Sequence, residues 1–244
     1  MAVDLLVPIK PLARAKTRLR DAADDGAAHA RLVVALARDT LAAAAAAALV
    51  RRVVAVCSDG LVRCILAMDG VEAVADEPGD GLNSALRYGE ALLRCADPAT
   101  AVAAMPADLP ALRPHELDCA LRDALATGSR AFCADQAGTG TTLLLAPPGH
   151  ALAPCFGPHS AVAHRAGGAR QLAGRWPGLR CDVDTAADLT RARKLGLGQF
   201  TARVLDADCG FSGLSNSSLH PEGGRDASGI SPPGGPTVYP CDIA

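Results

Sequence analysis

Aromatic side chains are scarce: Phe, Trp and Tyr make up 3% of the 244 residues, which argues against the stacking platforms that hold single-stranded nucleic acid. An excess of charge of one sign is missing as well. The formal net charge of −2 leaves no electrostatic footprint for DNA or an anionic membrane, so neither is an expected partner. The longest apolar stretch, TLAAAAAAALV at 40–50, is too short and too alanine-rich to span a bilayer. The opening MAVDLLVPIK has no basic n-region and no long h-region; neither signal peptide nor anchor is expected, and a cytoplasmic location is. Nine cysteines, at 57, 64, 95, 119, 133, 155, 181, 209 and 241, contain no CxxC pair, so they read as buried reduced thiols rather than zinc ligands or a redox couple. Neither GxxxxGK[ST] nor GxGxxG occurs, which removes a P-loop and a dinucleotide-binding Rossmann fingerprint.

What is present is apolar bulk of a particular kind. Half the residues are hydrophobic, mostly Ala, Leu and Val, which suits closely packed helices on a sheet. Short apolar runs predict strands at DLLVPI (from 4), RVVAVCS (52), VEAVAD (71), AVAAMPA (101), RAFCADQ (130), TTLLLAP (141) and LRCDVD (179). Helical patterns fall at 27–50, 60–68, 82–95, 114–127, 160–175 and 186–195. The alternation predicts one α/β domain over 1–200 with a mostly parallel sheet of about seven strands. The AGTG link between the runs at 130 and 141 is too short for a crossover helix, so that pair is expected to be antiparallel and the sheet mixed. From 201 to 244 the chain turns Ser-, Gly- and Pro-rich without apolar periodicity and reads as a disordered tail.

In open α/β sheets ligands bind beyond the carboxyl ends of the strands. The first strand is followed by KPLARAKTRL, where Lys10, Arg14, Lys16 and Arg18 have no acidic neighbour and either face solvent or an anion. DEPGDGLNSAL at 76–86 offers Gly79, Gly81 and Asn83, a turn and helix start in which Asn83 caps the helix or reads a base edge. Asp108 follows the run at 101, flanked by prolines, and either caps a turn or holds a cation. In CDVDTAADL, Asp182 and Asp184 are expected to project together while Val183 turns inward, with Thr185 and Asp188 as capping residues. Carboxylates at two strand ends opposite a basic loop suit magnesium and a nucleoside triphosphate. GTGTT at 138–142 and FGPHSAVAHR at 156–165, with Ser160 at a helix start, suit a small anion. His159 and His164 are the histidines to weigh as bases.

VPIKPLARAKTRL, MPADLPAL, GTGTT, FGPHSAVAHR and CDVDTAADL, in this order, resemble the 2-phospho-L-lactate or phosphoenolpyruvate guanylyltransferase family of coenzyme F-420 biosynthesis, over roughly residues 3–198. The resemblance implies a three-layer α/β/α, nucleotide-diphospho-sugar transferase-like fold. It also implies transfer of GMP from GTP to the phosphate of a three-carbon acid, phosphoenolpyruvate or 2-phospho-L-lactate, with release of pyrophosphate. It places Mg2+ on Asp108 and Asp182 and the acceptor on Thr141, Gly157 and Ser160, with Thr139 and Thr142 as alternatives to Thr141. Lys10, Lys16 and Arg18 become the catalytic triphosphate-binding set, and the region of Asn83 the nucleobase side. The next pathway transferase would take the product, and many short helices leave surface for a homodimer. The competing readings are a sister nucleotidyltransferase with a 3-phosphoglycerate or molybdopterin acceptor, and a GTP-binding regulator without activity.

Overall fold

The computed structural model describes residues 2–11, 19, 26–76 and 79–207. Lys16 and Arg18, with Arg14, lie outside the described residues, as do Cys209, Cys241 and most of the expected tail.

β1 (Val3–Ile9) is buried at all seven positions, as a central parallel strand covered on both faces must be. Its one charged residue, Asp4, is fully buried and takes a bidentate pair from the Arg51 guanidinium at 2.8 and 2.7 Å. That pair satisfies a carboxylate which would otherwise be costly to desolvate. After α1 (Gly26–Ala45), β2 (Val50–Cys57) pairs parallel to β1; α2 (Gly60–Met68) and β3 (Glu72–Val74) extend that side. After α3 (Leu82–Ala96), β4 (Ala101–Ala104) pairs with the other side of β1, again parallel. α4 (Pro114–Ala126) leads to β5 (Ala131–Ala134) and β6 (Thr141–Ala146), an antiparallel pair in which β6 slots between β4 and β5. The sheet runs β3-β2-β1-β4-β6-β5-β7 and is mixed, as the short AGTG link required.

Alternation along β1 sorts the core. Val3, Leu5, Val7 and Ile9 pack with Leu41 of α1, Val62 and Leu66 of α2 and Leu117 and Leu121 of α4. Leu6 points the other way, toward Leu86 and Leu93 of α3. α3 lies close enough that a Cβ on Gly89 would come within 2.8 Å of Leu6. Helices on both faces make three layers. Among the described residues no helix is long and apolar enough to cross a membrane.

Three expectations fail, each for a local reason. The helix expected over 160–175 is α5 (Ser160–Ala166); Gly167 and Gly168 end it, and the chain returns as β7 (Arg170–Gln171) beside β5. LRCDVD is not a strand: its backbone bonds to single partners in different segments instead of to a ladder. Helical order also passes the expected boundary at 200, because α6 (Ala186–Leu195) is followed by α7 (Gln199–Ala207). Three of the described cysteines, Cys64, Cys95 and Cys155, are exposed, whereas Cys57, Cys133 and Cys181 are buried as expected.

α7 owes its start to a residue far away in sequence. Asp39 of α1, nearly buried, accepts the amides of Phe200 and Thr201 at 3.0 and 2.7 Å. Asp39→Ala strands both amides and is expected to destabilise the fold by about 1 to 3 kcal/mol, read as a lower midpoint in urea with an unchanged m-value. A midpoint equal to wild type would show that the cap contributes nothing.

Candidate active site

Parallel pairing of β1 and β4 brings the residues after both strands to one edge. Lys10, exposed, leaves β1 there; Asp108 stands four residues beyond β4. Together with Asp184 and Leu82 they line a cleft of about 150 Å3. Two bonds that do not involve the Asp108 side chain anchor its loop: the Thr40 hydroxyl accepts the Leu109 amide at 2.8 Å, and the Asp108 carbonyl accepts the Val183 amide at 3.0 Å. This second bond joins the two aspartate-bearing segments directly.

The segment 178–184 is pinned one bond at a time. Buried Glu116 of α4 accepts the amides of Gly178 and Leu179 at 3.2 and 3.1 Å, and the Arg180 carbonyl accepts the Gln136 amide at 2.9 Å. The expected alternation survives without a strand. Val183 is fully buried, Asp182 is half-buried and Asp184 is exposed. Thr185 caps α6, accepting the Asp188 amide, while Asp188 reaches back in the reciprocal capping box expected from the residue types.

Burial, followed by the charges of Asp108, Asp184 and Asp135, pushes the Asp182 carboxyl up to about 7. The largest cause is desolvation, and the rest is like-charge repulsion from three other strand or loop ends. A divalent cation would relieve that repulsion. Among the described residues no three His, Cys, Asp or Glu side chains come close enough to enclose a metal. A site of one or two carboxylates completed by substrate phosphates and water is the arrangement that suits magnesium, so the donors present fit such an ion.

A second cluster forms where the β5–β6 turn meets α5. The Ala161 amide donates to the Thr139 carbonyl at 3.1 Å, and the Thr141 hydroxyl lies 2.9 Å from His164 Nδ1. Thr141 and Ser160 are nearly buried; Gly157, with φ 137°, is exposed in the loop between them. His159 adopts φ 58°, an uncommon left-handed conformation for a residue with a side chain, and is exposed just before α5. Thr142, beside Thr141 on β6, is 1% exposed against 6% for Thr141.

Asn83 does not cap α3. Its side-chain nitrogen donates to the Phe156 carbonyl at 2.9 Å and its oxygen accepts the Phe156 amide at 2.8 Å, so it clamps the segment leading to Gly157. Asp135 was not singled out by sequence, yet it links the two clusters. It accepts the Thr139 amide at 2.9 Å, and its charge reaches Asp182. It stands immediately after β5, so the strand-end rule that marked Asp108 would have found it. Nothing in the residue pattern marks Glu116.

No protein-family model matches the chain. Among curated proteins it is 53% identical over 203 residues to a phosphoenolpyruvate guanylyltransferase of Streptomyces scabiei, covering 81% of this chain and 93% of the relative. It is 51% identical over 201 residues to the protein of the same name from Streptomyces coelicolor, covering 82% and 94%. Among solved structures it resembles one assigned as a nucleotide-diphospho-sugar transferase from Desulfovibrio desulfuricans G20, with TM-score 0.62, 21% identity and coverage of 86% and 97%. A manganese complex of a Mycobacterium tuberculosis H37Rv protein superposes with TM-score 0.51 at 24% identity, covering 80% and 98%.

Proposed function

From the premise that the chain belongs to the phosphoenolpyruvate guanylyltransferase family, we propose that this nucleotidyltransferase moves GMP from GTP onto the phosphate of phosphoenolpyruvate. An acceptor phosphate oxygen forms the new bond to the α-phosphorus, the α–β bridging bond breaks, and pyrophosphate leaves. The observation that carries the reading is the cleft at one sheet edge lined by Lys10, Asp108 and Asp184, with the Asp182 carboxyl close enough to feel the charge of Asp108, and with Asp135 holding the Thr139 amide in the turn before Thr141.

Asp108 and Asp182 would hold a divalent ion, magnesium by this reading, whose chemistry is to neutralise charge on the phosphates. The manganese in a protein of the same fold agrees with that choice of cation class. Lys10, with Lys16 and Arg18 from the same basic loop, would hold the triphosphate and stabilise departing pyrophosphate. Thr141 and Ser160, with the backbone at Gly157, would bind the acceptor. That acceptor is already an anion, so no general base is required. This agrees with a site whose one buried histidine is engaged at both nitrogens. Asn83 acts by shaping the wall around Phe156 rather than by reading the base. We place the reaction in coenzyme F-420 assembly, where a further transferase consumes the product.

The test is pyrophosphate release from GTP and magnesium with phosphoenolpyruvate, 2-phospho-L-lactate or 3-phosphoglycerate, the next pathway transferase being present. Release with phosphoenolpyruvate above the other two is expected. GTP binding without release with any of them would leave a regulator instead of an enzyme.

A further inference from the structure

We propose that His164 is a positioning residue for acceptor recognition: its Nδ1–H occupies a lone pair of Thr141 Oγ1 and so directs the Thr141 hydroxyl proton toward an anionic oxygen of the acceptor. The proposal rests on the acceptor site put forward above.

A backbone amide sets the protonation of the ring. The Cys155 N–H lies 2.9 Å from His164 Nε2. An amide nitrogen only donates, so Nε2 must accept and carries no proton. Burial first, and the charge of Arg130 second, lower the His164 pKa to about 4, so the ring is neutral at neutral pH and its single proton sits on Nδ1. Nδ1 then donates to Thr141 Oγ1 at 2.9 Å. The tautomer follows from the chain itself.

The ring has little freedom to leave this arrangement. It is 1% exposed, with Phe132 at 5.9 Å and Phe156 at 5.2 Å between ring centres. Thr141 is equally held, since its backbone pairs with Ala134 across β5 and β6. Among the described residues Thr141 Oγ1 makes no other hydrogen bond. A threonine hydroxyl can present either a proton or a lone pair to its surroundings, and only the proton attracts a carboxylate or phosphate oxygen. With one lone pair filled by histidine, the hydroxyl is set as a donor. Through Cys155 the same ring also holds the start of the loop that carries Gly157, and Phe156, between the two, is clamped by Asn83.

Two substitutions separate the nitrogens. His164→Gln places an acceptor near the Nε2 position and keeps the Cys155 bond while losing the donor to Thr141. His164→Asn places an amide donor near Nδ1 and keeps the Thr141 bond. In steady-state assays of the full chain with GTP and phosphoenolpyruvate, His164→Gln is expected to raise the acceptor KM about 10-fold or more, with the GTP KM within about twofold of wild type. His164→Asn is expected to restore most of that loss. Thr141→Val should reproduce the KM rise, and adding His164→Gln to it should add little further, because both remove the same interaction. The proposal is overturned if the Gln and Asn variants raise the acceptor KM equally. It is also overturned if the effects of His164→Gln and Thr141→Val multiply, or if His164→Gln raises both KM values in step with a lower thermal midpoint. Wild-type protein that turns over no acid at all would instead remove the transferase reading.

Discussion

Asp108→Asn is expected to leave a folded protein whose nucleotidyl transfer falls by about 100-fold or more. The substitution keeps the shape of the side chain and removes its charge. Two anchors of its loop, the Asp108 carbonyl and the Thr40 hydroxyl, do not change. Loss of turnover therefore reports the missing carboxylate and not a displaced loop. Pyrophosphate release measured beside the thermal midpoint checks this: activity should collapse while the midpoint stays near that of wild type. An Asp108→Asn protein with wild-type turnover would remove Asp108 from the metal assignment.

Asp182→Asn should lose activity comparably and yet make the metal-free fold more stable at neutral and alkaline pH. The sign follows from linkage. The Asp182 carboxyl titrates at about 7 in the fold against an ordinary value of 3.8. Below about pH 4 it is protonated in both folded and unfolded chains and nothing is lost. As the pH rises from there toward 7 the unfolded chain ionises first, so folding forfeits stability, and above 7 the full penalty applies. An asparagine never ionises. Its advantage over aspartate should open near pH 4 and level off above pH 7, at on the order of 4 kcal/mol at most. Urea titrations at pH 4, 6 and 8 in the presence of a chelator would show it. Added magnesium should stabilise wild type and leave Asp182→Asn nearly unmoved, as expected if the proposed site needs both carboxylates to hold the cation. A variant less stable than wild type at pH 8 without metal would mean that the carboxylate is not held against its neighbours' charge.

The placement of several candidate-site residues was legible because strand ends and turn residues carry their meaning locally. Lys10 and Asp108 follow apolar runs that become β1 and β4, and parallel pairing necessarily brings such positions to one edge. The capping box at Thr185 and Asp188 is a spacing rule with a local cause, and it holds. The role of Asn83 was not legible. Its residue type suits a cap, a base edge or a backbone clamp equally well, and the choice was made by Phe156, 73 residues away. Glu116 was hidden for the same reason, and His164, visible as a candidate base, gave no sign of its bonds, since the partners at 178–179 and at 141 and 155 lie outside the helices that carry these two residues.

Apolar periodicity and punctuation by glycine were enough to specify six strands, most helix positions and the antiparallel β5–β6 pair, since these depend on neighbours within a few residues or on the length of a link. Tertiary structure alone decided that LRCDVD would bond to Asp108, Glu116 and Gln136 instead of joining the sheet, and that Asp39 would start a helix at 199. In both cases a backbone amide or carbonyl is satisfied by a group distant in the chain, and no local pattern records which group will arrive.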